Sequence, residues 1–117
     1  MGGDMREKQP PRPTERHATV RRELVEMLRQ GHELGARELS AAAHIPERSV
    51  PEHLEHIRRT LLHDGSGLHL RVSPARCLQC GFVFSKRTRL TRPGRCPVCK
   101  QSHITEPLFS IEARRQA

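Results

Sequence analysis

Apolar residues recur at helical spacing three times along the first half of the chain, then alternate in a short stretch. Val20, Leu24, Met27 and Leu28 fall at i, i+4, i+7 and i+8, one stripe of a helix whose wet side holds Arg21, Arg22, Glu23 and Glu26. Thr14 is placed to cap that helix, and Gly31 to stop it after Gln30. A short extended link, His32 to Leu34, leads to a second helix from Gly35 to Ala43, with Glu38 in its first turn and Ala36, Leu39 and Ala43 on its inner face. Ala43-His44-Ile45-Pro46 reads as a tight turn with Ile45 plugging the core. Val50, Leu54, Ile57 and Leu61 form the third stripe, which ends near Asp64-Gly65. Pro51 would break the ladder of a helix begun at Glu47, so this helix is expected to start from Ser49 as N-cap, with Pro51 harmless in its first turn.

Leu68 to Val72 alternates as a strand after the Gly65-Ser66-Gly67 turn. Three helices with a short second member and a tight turn make a helix-turn-helix, and this strand stands where a wing would begin. A wing needs a returning strand, but the chain runs through Ser73-Pro74 straight to Cys77, so the strand is expected to pass directly into the next module. There Phe82-Val83-Phe84 reads as a short strand. Ile104 to Ile111, interrupted by Pro107, reads as a final edge strand. The fold class is therefore α+β: a disordered leader (1–13), a three-helix (winged) helix-turn-helix (14–73), a small β ribbon (74–112) and a tail (113–117).

The chemistry lies in that ribbon. Cys77-Leu78-Gln79-Cys80 and Cys96-Pro97-Val98-Cys99 use all four cysteines as two C-x-x-C knuckles separated by fifteen residues. Two residues between paired cysteines let one turn aim both sulfurs at a single ion, and the spacing matches zinc sites. Two disulfides would require an oxidising compartment, and nothing in the sequence resembles an export signal. A redox C-x-x-C pair normally comes alone, beside a βαβ pattern absent here. Iron uses the same four ligands. The reading is one structural Zn²⁺ held by Cys77, Cys80, Cys96 and Cys99; four thiolates leave no open position for a catalytic water. His103 lies just outside the second knuckle and is peripheral to a shell already complete.

Composition narrows the function classes. With 34% hydrophobic residues, no Trp or Tyr and three Phe, all from Phe82 onward, the chain affords a small aliphatic core first and a metal-plus-Phe core second. No apolar run is long enough to span a bilayer, and reduced thiols point to a soluble protein of the cytoplasm with no membrane partner. The net charge of +8 is uneven, about +6 over residues 77–117 and +2 over residues 1–76. Basic surface favours nucleic acid through phosphate contacts. The densest cluster is Lys86, Arg87, Arg89, Arg92 and Arg95, with no aromatic residues interleaved to stack single-stranded bases. On the third helix, Ser49, Glu52, His53, His56 and Thr60 lie opposite the stripe, and Arg48, Ser49, His53 and His56 are the candidates to reach base edges of duplex DNA. Glu47, Glu52 and Glu55 do not welcome phosphates. His53 and His56 share a helix face, but no third metal ligand accompanies them. Neither an acid–base pair nor a phosphate loop is present to support an enzyme.

Several stretches together resemble a family of predicted prokaryotic transcriptional regulators, common in archaea, that fuse a helix-turn-helix to a zinc ribbon. They are Ala36-Arg37-Glu38-Leu39-Ser40, Val50 to Ile57 (V-P-E-H-L-E-H-I), Pro74 to Phe84 with the first knuckle, Arg95 to Cys99, and Ile104 to Ile111. The resemblance spans residues 17–112 in the same order. It implies regulation by binding duplex DNA; the runner-up expectation is an adaptor that docks on the transcription machinery through both modules. Reading a palindromic site would call for a homodimer.

Overall fold

The computed structural model describes residues 13–87 and 89–114. The expected leader up to residue 12, and the tail from residue 115, lie outside the described residues. Helix α1 (Pro13–Leu28) opens on a proline, which has no N–H to leave unpaired there. It ends two residues before the expected Gln30, and Gly31, at φ 88°, turns the chain away.

The link beyond it is a two-residue strand, β1 (Leu34–Gly35), which runs directly into α2 (Ala36–Ala43). The Gly35 N–H donates to Glu38 Oε1 at 3.2 Å, so the first-turn carboxylate satisfies an N-terminal donor of α2. His44 closes α2 in the left-handed region at φ 56°, its N–H donating to Ser40 O. A 3₁₀ turn (Glu47–Ser49) then leads into α3 (Val50–His63). Ser49 is the N-cap residue and Pro51 sits in the first turn, as the proline requires. The Ser49 hydroxyl, however, donates to Pro46 O at 2.8 Å, so it braces the preceding turn and does not cap the helix.

Strands β2 (Leu68–Ser73) and β3 (Leu108–Ala113) complete an antiparallel sheet of order β1-β3-β2. This corrects two expectations at once. The last strand is central, not an edge: it pairs Leu34↔Phe109 on one side and Leu68↔Ala113 through Ser73↔Leu108 on the other. Pro107 lies one residue before it and removes no ladder bond. And β2 does have a returning partner, placed beyond the ribbon, so residues 74–107 form an excursion from a β2–β3 hairpin. Ala113, assigned to the tail, is the last residue of β3. Arg114 next to it donates its N–H to Gly67 O at 2.7 Å and its guanidinium to Leu61 O at 2.6 Å, capping the C-terminal end of α3.

Leu68, Leu70 and Val72 on β2 and Phe109 and Ile111 on β3 turn one face of the sheet to the helices. They meet Val20, Leu24 and Leu28, Leu39 and Ala43, and Val50, Leu54, Ile57 and Leu61, the stripes read from periodicity. Phe109 is fully buried in this first core and not in the ribbon, a consequence of β3 returning to the sheet. The opposite sheet face carries His69, Arg71 and Glu112, whose carboxylate lies 3.6 Å from His69 Nε2 and 3.7 Å from the Arg71 guanidinium. Among the described residues, no helix is long and apolar enough to cross a membrane.

The ribbon has little regular structure. Phe82–Phe84 is not a strand; isolated bridges join Arg76 to Val83 and Cys77 to Ile104. Its own core is Ala75, Cys77, Cys96 and Ile104, with Phe82 and Phe84 stacked edge-to-face at 5.0 Å beside them. Leu90, the one aliphatic residue between Ser85 and Arg95, leaves that cluster and inserts into the first core at 5% exposure. The basic loop is thus pinned to the helical body at its middle. Replacing Leu90 by alanine should cost about 2–4 kcal/mol. In zinc-loaded protein, chemical denaturation reads that loss, and protease cleavage within residues 85–95 should speed up without loss of zinc.

Candidate metal centre and basic face

The two knuckles are built alike. Cys77 N–H donates to Phe82 O at 2.8 Å, and Cys96 N–H donates to Gln101 O at 2.9 Å, each closing a loop over five residues. Gly81 N–H reaches Cys77 O and Lys100 N–H reaches Cys96 O, both at 2.9 Å. The residue after each second cysteine is left-handed: Gly81 at φ 83° and Lys100 at φ 65°. Glycine suits that position, while Lys100 holds it at a steric cost and lays its Nζ on Pro97 O at 3.1 Å.

These turns bring the four sulfurs within 4.8 Å of one another. Cys77 and Cys99 Sγ are 3.5 Å apart, and Cys80 and Cys96 Sγ are 3.6 Å apart. A disulfide needs about 2.05 Å. A tetrahedron with zinc–sulfur bonds of about 2.3 Å has edges of about 3.8 Å, so the cluster has the span of a metal shell and not of a disulfide. The donors also respond to one another. The Cys80 N–H, helped by that of Gln79, brings the Cys77 thiol down to about 7 against the effect of burial. Cys99 goes the other way, to about 12: the Gln101 N–H lowers it, but burial and the three neighbouring sulfurs prevail. Four sulfurs this close cannot all ionise without a cation among them. Cys77, Cys80, Cys96 and Cys99 would hold a divalent metal whose charge replaces the shared protons, and whose role is to join the two knuckles. Few apolar side chains are buried in this half of the chain, each worth about 1.5–3 kcal/mol. A structural zinc contributes on the order of 10–16 kcal/mol. The metal therefore dominates the ribbon's stability.

Residues 19–69 match the PF0610-like N-terminal family, and residues 74–114 match the PF0610 rubredoxin-like zinc beta-ribbon domain. The solution NMR structure of protein PF0610 from Pyrococcus furiosus is 32% identical, with a TM-score of 0.65, and the match covers 83% of this chain and 91% of that one. The chain belongs to the PF0610-like family. No curated protein matches it. Its second half is a zinc ribbon whose four cysteines are positioned to bind one metal ion.

The basic residues of this PF0610-like chain fall into two sets. Arg48 is exposed in the 3₁₀ turn and His56 is exposed on α3, with Thr60 Oγ1 3.5 Å from its Nδ1. Ser49 is half-buried, its hydroxyl committed to the turn. Lys86 and Arg89 are exposed, Arg87 is half-buried with its guanidinium donating to Thr91 Oγ1 at 2.8 Å, and Arg92 Nε donates to Ile104 O at 3.1 Å. The structure brings the loop alongside α3: Arg48 and Arg92 line one groove, and Arg87 and Arg89 line another together with Arg58 of α3. Arg58 was missed because it flanks the apolar stripe and its Glu55 partner reads as an ordinary surface pair.

His53 is a correction. It is buried, 6% exposed, and its ring stands edge-on to His17 of α1 at 5.3 Å, so it faces the helical core and not a groove of DNA. It lies at the edge of the stripe, three residues from Val50 and four from Ile57, a position periodicity assigns to either side. Burial, reinforced by the charge of Arg21 and by His17, holds its pKa below the usual 6.5.

Two outcomes follow. Metal analysis should find one zinc per chain, and Cys96→Ser should lose it; because ligation displaces thiol protons, zinc affinity should fall as pH drops, most steeply below about 7, where Cys77 is protonated as well. A histidine with its folded pKa depressed leaves stability intact above 6.5 and removes it as pH falls through the folded value. His53→Leu should therefore flatten part of the fall in stability between pH 7.5 and 5.5, read by denaturation with zinc in excess.

Proposed function

We propose that this protein is a DNA-binding transcriptional regulator in which α3 enters the major groove of duplex DNA and the zinc ribbon acts as an enlarged wing. The observation that carries the reading is the path of β3. Elements in the order α1, β1, α2, turn, α3, β2, β3, with sheet order β1-β3-β2, support the winged helix-turn-helix reading. The ribbon then occupies the tip of the wing and lays its basic loop beside the helix that would read bases. Arg48, His56 and Arg59 are exposed where such a helix meets DNA, and Arg59 joins the readers expected from sequence. A palindromic target would be read by a homodimer. With thiols free to hold zinc, the regulator works in the cytoplasm.

A second reading, an adaptor of the transcription machinery, has its own support. Glu47 in the 3₁₀ turn and Glu52 on α3 are both exposed, and Leu78 and Val98 stand 66% and 62% exposed at the two knuckle tips. The readings separate on binding of zinc-loaded protein to random and genomic duplexes across a salt series. The regulator should bind with steep salt dependence and enrich a sequence motif. Arg48→Glu should then abolish the motif, whereas Lys86→Glu should weaken all sequences alike and lower the salt slope by about one. Folded, zinc-loaded protein that binds no duplex at low salt would overturn the regulator and leave the adaptor.

A further inference from the structure

Two grooves lie along the seam between α3 and the ribbon, and their charges differ. The larger, about 400 Å³, carries Arg48 and Arg92 but also Glu47 and Glu106, so its charges balance. The smaller, about 310 Å³, carries Arg58, Arg87 and Arg89 with the hydroxyls of Ser85 and Thr91, and no carboxylate lines it. Glu55 compensates Arg58 from outside. No described carboxylate forms an ion pair with Arg87 or Arg89, so about two positive charges face the cleft unopposed. Leu70 and Val72 of β2 and Phe84 supply part of the wall beside these polar groups.

Arg87 is the best-positioned of these cations. Its terminal amine is fixed on Thr91 Oγ1 at 2.8 Å, which holds the planar guanidinium in place. Its Nε–H is buried with no acceptor among the described residues. That atom is closed to solvent, so an oxyanion in the cleft would be met by the other N–H groups of the guanidinium. Guanidinium forks match the tetrahedral oxygens of phosphate in geometry as well as charge.

We propose that the cleft between α3, β2 and the ribbon loop is a phosphate-binding site, with Arg87 and Arg89 as its principal ligands and Arg58 at its rim. A phosphate there touches both the helical body and the ribbon, so binding locks the wing against α3. The phosphate is either a free one, inorganic or borne by a small metabolite, or a backbone phosphate of the duplex; only the second source rests on the DNA-binding reading.

The test uses full-length zinc-loaded protein, with inorganic phosphate replacing chloride at constant ionic strength and, separately, a duplex that the protein binds. Arg87→Gln and Arg89→Gln are compared with Arg29→Gln, an exposed arginine at the end of α1. Zinc content and unliganded melting temperature serve as folding checks, and Arg89, exposed and outside the core, keeps the test valid should Arg87→Gln unfold. For a free-phosphate site, calorimetry should give saturable 1:1 binding and a raised melting temperature. Arg87→Gln and Arg89→Gln should each weaken it about tenfold or more, and Arg29→Gln should leave it unchanged. For a backbone site, free phosphate should not saturate, but the same two variants should lose about tenfold in duplex affinity while Arg29→Gln does not. If neither ligand separates these variants from Arg29→Gln, the site is overturned, whether or not the protein binds DNA. Phosphate binding without duplex binding would retain the site and remove the regulator.

Discussion

The structure depends on β3 pairing on both sides. A central strand that follows the ribbon in sequence must return to the point where β2 left, so both ends of residues 74–107 are held at one end of the sheet. That closure puts Phe109 and Ile111 under all three helices and completes a core that the helices alone would leave open on one side. It also ties the ribbon to the helical body through two strands in place of one linker, a restraint with little freedom to swing. Arg114 extends the same closure, joining the end of β3 to the last carbonyls of α3.

The helical half of the fold was legible because its apolar period is clean and its breakers carry physical meaning. Pro51 dictated where α3 could begin, and the four residues of its stripe are all buried. The metal centre was legible because ligand spacing is local: a C-x-x-C turn fixes its own geometry whatever surrounds it. Pairing between strands separated by 34 residues carries no such local mark. Pro107 read as an edge signal because a proline removes a donor, yet it sits one residue outside the ladder, where its missing N–H costs nothing. Phe109 was grouped with the other two Phe by sequence, while the sheet register decides which core it joins. His53 failed for a different reason: at the edge of a helical stripe, a neighbour on another helix decides the side, and that neighbour is His17.

Leu90 shows how one residue can change the meaning of a charged segment. Between Ser85 and Arg95 the sequence reads as a solvated basic ribbon, whose charges would be mobile and screened. Anchored at its centre in the first core, the same segment holds Arg87 and Arg89 on one side of the pin and Arg92 on the other, each facing a different groove. Position, more than charge count, then decides what each arginine does. Arg92 spends its Nε on a ribbon carbonyl and faces two carboxylates across its groove. Arg87 is held by a neutral hydroxyl, and no described carboxylate pairs with it.

The acidic residues at the start of α3 and in the turn before it fit this division. Glu47 and Glu52 on the exposed face would repel a phosphate backbone laid squarely over them, so a duplex seated on α3 alone would be weakly held. The field that would attract it comes from the ribbon, where the chain carries most of its excess positive charge. In the proposed regulator, a helix that discriminates and a wing that attracts would be separable tasks, lying on separable pieces joined by the β2–β3 hairpin. The metal then has a consequence beyond the ribbon itself. Residues 86–95 leave one knuckle and return to the other, and both knuckles converge on the same four sulfurs. Without the ion, repulsion or protonation of those thiols would loosen both ends of the basic loop at once. Leu90 would then pin a loop with mobile ends, and the arginines beside α3 would lose their fixed positions.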